Sequence, residues 1–139
     1  MSIIGVPEVQ RRLNQLISQM ILEAEKAAML TQEQEVKKAK IDAPIGTPES
    51  TGIPSYIISE AYKRSIRRLS PSKTGGVFTA PVIAGQEIVN PNTGRQVDYA
   101  VQLEYGWSGQ APSGVLVPSM VSQKRFFQDE IRNGIRRVR

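Results

Sequence analysis

Cysteine and histidine are both missing from this chain of 139 residues. Without cysteine there is no disulfide framework, without either residue no Cys/His zinc site, and the nucleophile-plus-imidazole arrangements of hydrolytic catalysis cannot be built. Aromatic residues are few, with one tryptophan, four tyrosines and three phenylalanines. A stacking platform for single-stranded nucleic acid is therefore not expected. No apolar run approaches the ~20 residues that span a bilayer, and the start, Met1-Ser2-Ile3-Ile4-Gly5, lacks the basic segment and apolar run of a secretory signal. The chain is expected to be soluble, made in a cytosol, and free of membrane partners.

An enzyme built from the remaining chemistry would rely on carboxylates, lysine or tyrosine. Asp98 and Glu104 are six residues apart on what reads as an extended strand, roughly 20 Å, too far for a catalytic pair. Gly75-Gly76 and Thr51-Gly52 lack the Gly-Lys-Ser/Thr element of a phosphate loop. No enzymatic activity and no cofactor are expected.

What is present is ordinary globular composition, 40% hydrophobic and 22% charged, in one domain's length. The net charge of +5 is unevenly placed. Residues 56–75 carry Lys63, Arg64, Arg67, Arg68 and Lys73 against Glu60, and residues 124–139 carry six basic side chains against Asp129 and Glu130. Such patches attract phosphate or an acidic protein surface, or are solvated faces pairing with acidic neighbours.

Pro7 and Glu8 suit the first turn of a helix, and apolar residues from Val9 to Ala28 recur at three- and four-residue spacing, predicting a long helix over 1–41. Its second half, residues 32–40, is polar, and reads as a segment that projects from the body or lies in a partner's groove, or as a solvated helix end. Residues 42–54 hold three prolines and two glycines, predicting a docking loop. A second helix is expected after Ser55, with Ile58, Ala61, Tyr62, Ser65, Ile66 and Leu69 on one face and Arg64, Arg67 and Arg68 on the other.

Residues 77–84 and 87–89 look like strands, with Pro81 demoting the first to an edge or bulged position. Asn90-Pro91-Asn92-Thr93-Gly94 is turn chemistry. Val97, Tyr99, Val101, Leu103 and Tyr105 alternate with Asp98, Ala100, Gln102 and Glu104, predicting a strand that pairs back across that turn as a hairpin. Pro118 opens a last helix whose Met120, Val121, Phe127, Ile131 and Ile135 are expected to face the sheet. Trp107, in the loop before it, is packed under its own loop or is an interface anchor. The expected fold is α+β over 55–139, with a long N-terminal helix, a second helix, an antiparallel sheet with a hairpin and a C-terminal helix packed on the sheet, all in a single domain over 1–139.

The order of Ala43-Pro44 and Thr51-Gly52, Ser65-Ile66, Tyr99-Ala100, Glu104-Tyr105-Gly106, then Pro112, Val115-Leu116, Pro118 and Ser119 resembles the neck, or tail-completion, family of long-tailed bacteriophages. The chain departs from that pattern by the insertion Gly46-Thr47-Pro48-Glu49-Ser50 and by Val115-Leu116 where the family has a phenylalanine-leucine pair. The resemblance implies a structural virion protein, assembled in the host cytoplasm, that forms a ring of six or twelve copies joining the DNA-filled head to the tail. Its implied partners are copies of itself, the head-completion or connector proteins, and the tail terminator or tube proteins. DNA would pass through the ring without specific binding. A ring needs two complementary patches per subunit, and the expectation is that Arg64, Arg67 and Arg68 of one copy meet Glu87, Asp98 or Glu104 of the next. Pro44, Thr51, Gly52 and Trp107 are the expected docking residues. The competing reading is a non-specific DNA-binding accessory protein.

Overall fold

The computed structural model describes residues 5–85, 88–96, 100–105 and 114–138, with the backbone alone at 100–102. Helix α1, Gly5–Asp42, is 38 residues long, about 57 Å at 1.5 Å per residue. It is followed by a single turn, α2 (Pro48–Thr51), and a short helix, α3 (Ala61–Ser65). Strands β1 (Arg67–Arg68), β2 (Ser72–Thr74), β3 (Val77–Thr79), β4 (Val82–Ile83), β5 (Val89–Asn90) and β6 (Arg95–Gln96) come next, then helices α4 (Ala100–Tyr105) and α5 (Leu116–Arg137). The strands form three antiparallel pairs, β1–β4, β2–β3 and β5–β6. The fold is thus α+β, with small hairpin sheets and two dominant helices.

Helix α5 takes α1 as its main support and runs antiparallel to it. Val115, just before α5, shares the core with Ala39 and Ala43 at the end of α1, whereas Arg137 in the last turn of α5 reaches back to Glu23 at 3.1 Å. Gly134 makes the close approach possible, since a β-carbon there would stand 2.8 Å from the Glu23 β-carbon. Met120, Val121 and Ile135, expected against the sheet, are exposed, while Phe127 and Ile131 are half-buried.

The core gathers Ala39, Ala43, Ala61, Tyr62, Ile66 and Val115, where the second half of α1, α3, the start of β1 and the start of α5 converge. Small alanines let the backbones approach closely, so the core is tight rather than large. Gln32 is its polar staple. Only 2% exposed, it donates from Nε2 to the carbonyls of Leu69 (2.9 Å) and Pro81 (2.6 Å). The Pro81 carbonyl also accepts from the Leu69 N–H at 3.0 Å, so one amide closes the end of the β1–β4 ladder and fastens it to α1. Residues 32–40, expected to project, therefore lie at the centre of the molecule. Gln32 turns its polarity inward, whereas Lys37 and Lys38 stay exposed.

Other expectations are corrected by the same packing. The second helix does not run from Ser55 to Leu69; it ends at Ser65, whose Oγ donates to the Tyr62 carbonyl (2.6 Å) and accepts from the Gly85 N–H (2.9 Å). Ile66 follows, extended and fully buried, and carries the chain into β1. The strand expected over 97–105 is helix α4 from Ala100; residues 97–99 lie outside the described residues. Alanine, glutamine, leucine and glutamate in that stretch are good helix formers, and helical spacing puts Leu103 on the core. The strand over 77–84 is broken at Ala80-Pro81 into β3 and β4. The turn at Asn90–Gly94 and its hairpin are present, paired Val89 to Gln96 and Asn90 to Arg95.

Two measurements check this packing. Gln32→Ala leaves the Leu69 carbonyl without its donor and should lower the free energy of unfolding by about 1–3 kcal/mol in urea titrations. Burial holds the Glu35 carboxyl above its ordinary value of 4.5, so the folded state disfavours its ionised form. That penalty is absent below the unfolded value and grows as pH rises through the folded one. Glu35→Gln should therefore raise the melting temperature at pH 7, with the gain vanishing below about pH 4.

Candidate assembly surface

The residues singled out as an interface fall into four places. Arg64 is exposed on α3, its Nε donating to the Ser59 carbonyl at 3.0 Å. Arg67 and Arg68 lie on β1 rather than on a helix, so they point to opposite faces. Arg68 is exposed; Arg67 is half-buried, with Nη1 3.4 Å from the Gly85 carbonyl. Of these three arginines, Arg64 and Arg68 are the exposed ones.

Glu104 does something the sequence reading did not foresee. From α4 its carboxylate accepts the N–H groups of Val115 (2.7 Å), Leu116 (2.6 Å) and Val117 (3.3 Å), and the Tyr62 hydroxyl at 3.2 Å. Helix α5 begins with Val115 at its N-cap, a residue with no side-chain acceptor, so its first N–H groups need an acceptor from elsewhere. A carboxylate at the positive end of a 22-residue helix answers both the hydrogen-bonding and the dipole requirement. Gly114 lets it in: a β-carbon there would come within 2.6 Å of Glu104 Oε1. The signal was legible in principle, since the helix start after Gly114 carries no Ser, Thr, Asp or Asn. Glu104 is thus an internal cap and drops out of the acidic partners for a neighbouring copy. Glu87, Asp98 and Trp107 lie outside the described residues.

The Pro/Gly stretch over 42–54 is organised by its own bonds. Thr47 and Ser50 cap α2 reciprocally, Ser50 N–H to Thr47 Oγ1 at 3.1 Å and Thr47 N–H to Ser50 Oγ at 2.9 Å. Thr51 Oγ1 donates to the Thr47 carbonyl at 2.8 Å, and Gly52 closes the turn at φ 70°, a left-handed conformation that favours glycine. Asn92 fastens the next stretch to the β5–β6 turn, accepting from the Ile57 N–H (2.8 Å) and donating to its carbonyl (2.9 Å). Glu60 then turns the chain into α3 through a left-handed φ of 53°, a strained position for a residue with a side chain.

Along this braced segment Ala43 is buried and Tyr56 half-buried, while other side chains face outward. Ile41, Ile45, Ile53, Ile57 and Ile58 are exposed, together with Pro44, Thr51 and Gly52. Five isoleucines thus stand in water over 41–58, and Arg64 is exposed on the helix that follows. Ile58, expected on the apolar face of the second helix, precedes α3, which begins only at Ala61, and is exposed. An apolar trough of about 390 Å³ lies between α1, the β2–β3 hairpin and α5, lined by Ile21, Ala24, Ala28, Phe78 and Phe127. The Lys73–Glu25 ion pair, 3.0 Å, borders it.

No family model, curated protein or solved structure matches the chain. Function is therefore argued from surface chemistry. Among the described residues no cluster of three acidic side chains is placed to hold a metal ion, and no helix is long and apolar enough to cross a membrane.

The capping role of Glu104 makes a ranked prediction. Glu104→Ala removes all four hydrogen bonds and should cost about 2–4 kcal/mol of unfolding free energy, whereas Glu104→Gln keeps the acceptor oxygen and should cost about half as much. Guanidinium titrations followed by circular dichroism read both values.

Proposed function

We propose that this protein is a structural component of the phage neck, one subunit of a ring of six or twelve copies that joins the DNA-filled head to the tail in the virion. The observation that carries the reading is the run of exposed isoleucines over 41–58 with Arg64 exposed on the helix that follows, in a chain whose motif order resembles the neck and tail-completion family. A cyclic ring needs a patch and a different, complementary patch on each subunit. The exposed isoleucines and arginines are the candidates for the first; Glu87 and Asp98 are the acidic candidates for the second. Connector proteins on the head side and terminator or tube proteins on the tail side would take the remaining loop surfaces, and DNA would pass through the lumen without being read.

Exposed Lys124, Arg125, Arg132 and Arg136 on α5 favour one other reading, a non-specific DNA-binding accessory protein. Reversing charge separates the two. Arg64→Glu with Arg68→Glu spares half-buried Arg67, and should leave the melting temperature of the isolated chain within a few degrees of wild type while particles accumulate as unjoined heads and tails under the electron microscope. Normal infectious particles from that double variant would contradict the ring contact. Sub-micromolar duplex binding that falls steeply with salt would move the protein to the DNA-binding class.

A further inference from the structure

The face of α1 that α5 covers does not stop where α5 stops. In the body that face includes Glu23, against which Gly134 and Arg137 pack, and buried Ala27. Counting back from Ala27 by sevens gives Met20, Leu13 and Val6; counting back from Glu23 gives Leu16 and Val9. Residues seven apart lie on nearly the same side of a helix, so one apolar seam runs from the covered part of α1 to its first turn. Upstream of Gln19 the seam has no partner among the described residues. Val6 is 59% exposed, Val9 58%, Leu13 54% and Ile17 53%, while Leu16 is half-buried. The opposite side carries Arg11, Asn14, Gln15 and Ser18, so this stretch is amphipathic in its own right.

We propose that this overhang is a self-association surface, and that its occupant is the same overhang of a second copy, lying antiparallel along the seam in line with α5. The direction follows from α5 itself. In a parallel pair both bodies would stand at the same end, and both α5 helices would have to enter the one seam between the two copies of α1. An antiparallel pair sets the bodies at opposite ends, with each overhang filling the seam the partner's α5 leaves empty. The length fits: residues 5–18 span about 20 Å, enough for two complete heptads to meet.

The area fits as well. Val6, Val9, Leu13 and Ile17 expose roughly 370 Å² per copy, so the pair hides up to about 750 Å² of apolar surface before flanking polar atoms are counted, the size of a weak, concentration-dependent contact. Charge does not oppose it. Glu8 and Arg11 neutralise each other at 3.2 Å, leaving Arg12 as the net charge of the stretch. A lipid surface is a poorer occupant, because this helix lacks the lysine-rich polar face and the tryptophan or phenylalanine that anchor interfacial helices. Such a pair closes at two copies, so it is a contact distinct from the head-to-tail contacts of a ring, and it stands whether or not the neck reading does.

The absence of cysteine makes the test clean. The antiparallel pair puts Leu13 close to the two-fold axis and Val6 of one copy beside Ile17 of the other, whereas the two copies of Val6 stand about 15–20 Å apart. Under mild oxidation Leu13→Cys should form a disulfide-linked dimer, Val6→Cys alone should not, and a mixture of Val6→Cys and Ile17→Cys chains should form the mixed dimer. In sedimentation equilibrium at about 100 µM the wild type should be dimeric, and Leu13→Glu should weaken association at least tenfold with helix content and melting temperature unchanged. Wild type that stays monomeric at that concentration, Val6→Cys that links to itself as readily as Leu13→Cys, or Leu13→Glu that still dimerises would each overturn the proposal. Retention of the chain on anionic vesicles without dimer formation would overturn it in favour of a lipid surface.

Discussion

Helix α1 is longer than anything that covers it, and the rest of the structure is arranged around that mismatch. A 38-residue helix runs about 57 Å, whereas its partner α5, with 22 residues, covers about 33 Å. The overlap is where the molecule is built. Gly134 lets the two backbones approach at Glu23, Ala27 and Ala39 keep the covered face low, and the core closes at the far end on Ala43, Tyr62, Ile66 and Val115. Among the described residues, the segments between α1 and α5 are short helices, strands and turns, held against this pair by the core contacts of Ala61, Tyr62 and Ile66 and by polar bonds from single side chains.

Those polar bonds explain why so small an apolar core suffices to order so many irregular segments. Gln32 holds the β1–β4 end, Ser65 holds Gly85, Asn92 holds Ile57, and Glu104 holds the start of α5. Glu23 works similarly at the surface: its hydrogen bond with Arg137 holds its carboxyl below the ordinary range, against an opposing effect of burial and with help from Lys26. Below the folded value that ion pair is lost, so the α1–α5 seam is weakest in acid at its upstream end, next to the overhang.

How much of this was legible in the sequence depends on whether a segment answers to local or to distant partners. Helix α1 declared itself through Pro7, Glu8 and its apolar spacing, and the Asn90–Gly94 turn through its own side chains, because the forces that form them are local. The alternation from Val97 to Tyr105 was misleading: Ala100, Leu103 and Glu104 belong to a helix because Leu103 must reach the core and Glu104 must reach α5. Residues 32–40 misled in the opposite way, since a polar helical stretch reads as solvent-facing unless the carbonyls that its glutamine serves, 37 and 49 residues away, are already known. Of the assembly residues, the exposure of Arg64, Pro44, Thr51 and Gly52 was readable, the internal commitment of Glu104 was not, and Glu87, Asp98 and Trp107 fall outside the described residues.

Helix α1 has a covered half and a bare, apolar half, and hydrogen–deuterium exchange along this one helix distinguishes them. In dilute protein, amides from Ala24 to Ala39 should be strongly protected and those upstream of Gln19 should exchange fast, with upstream protection rising as concentration rises. Strong upstream protection in dilute protein, or faster exchange across residues 32–40 than across residues 8–18, would contradict the account.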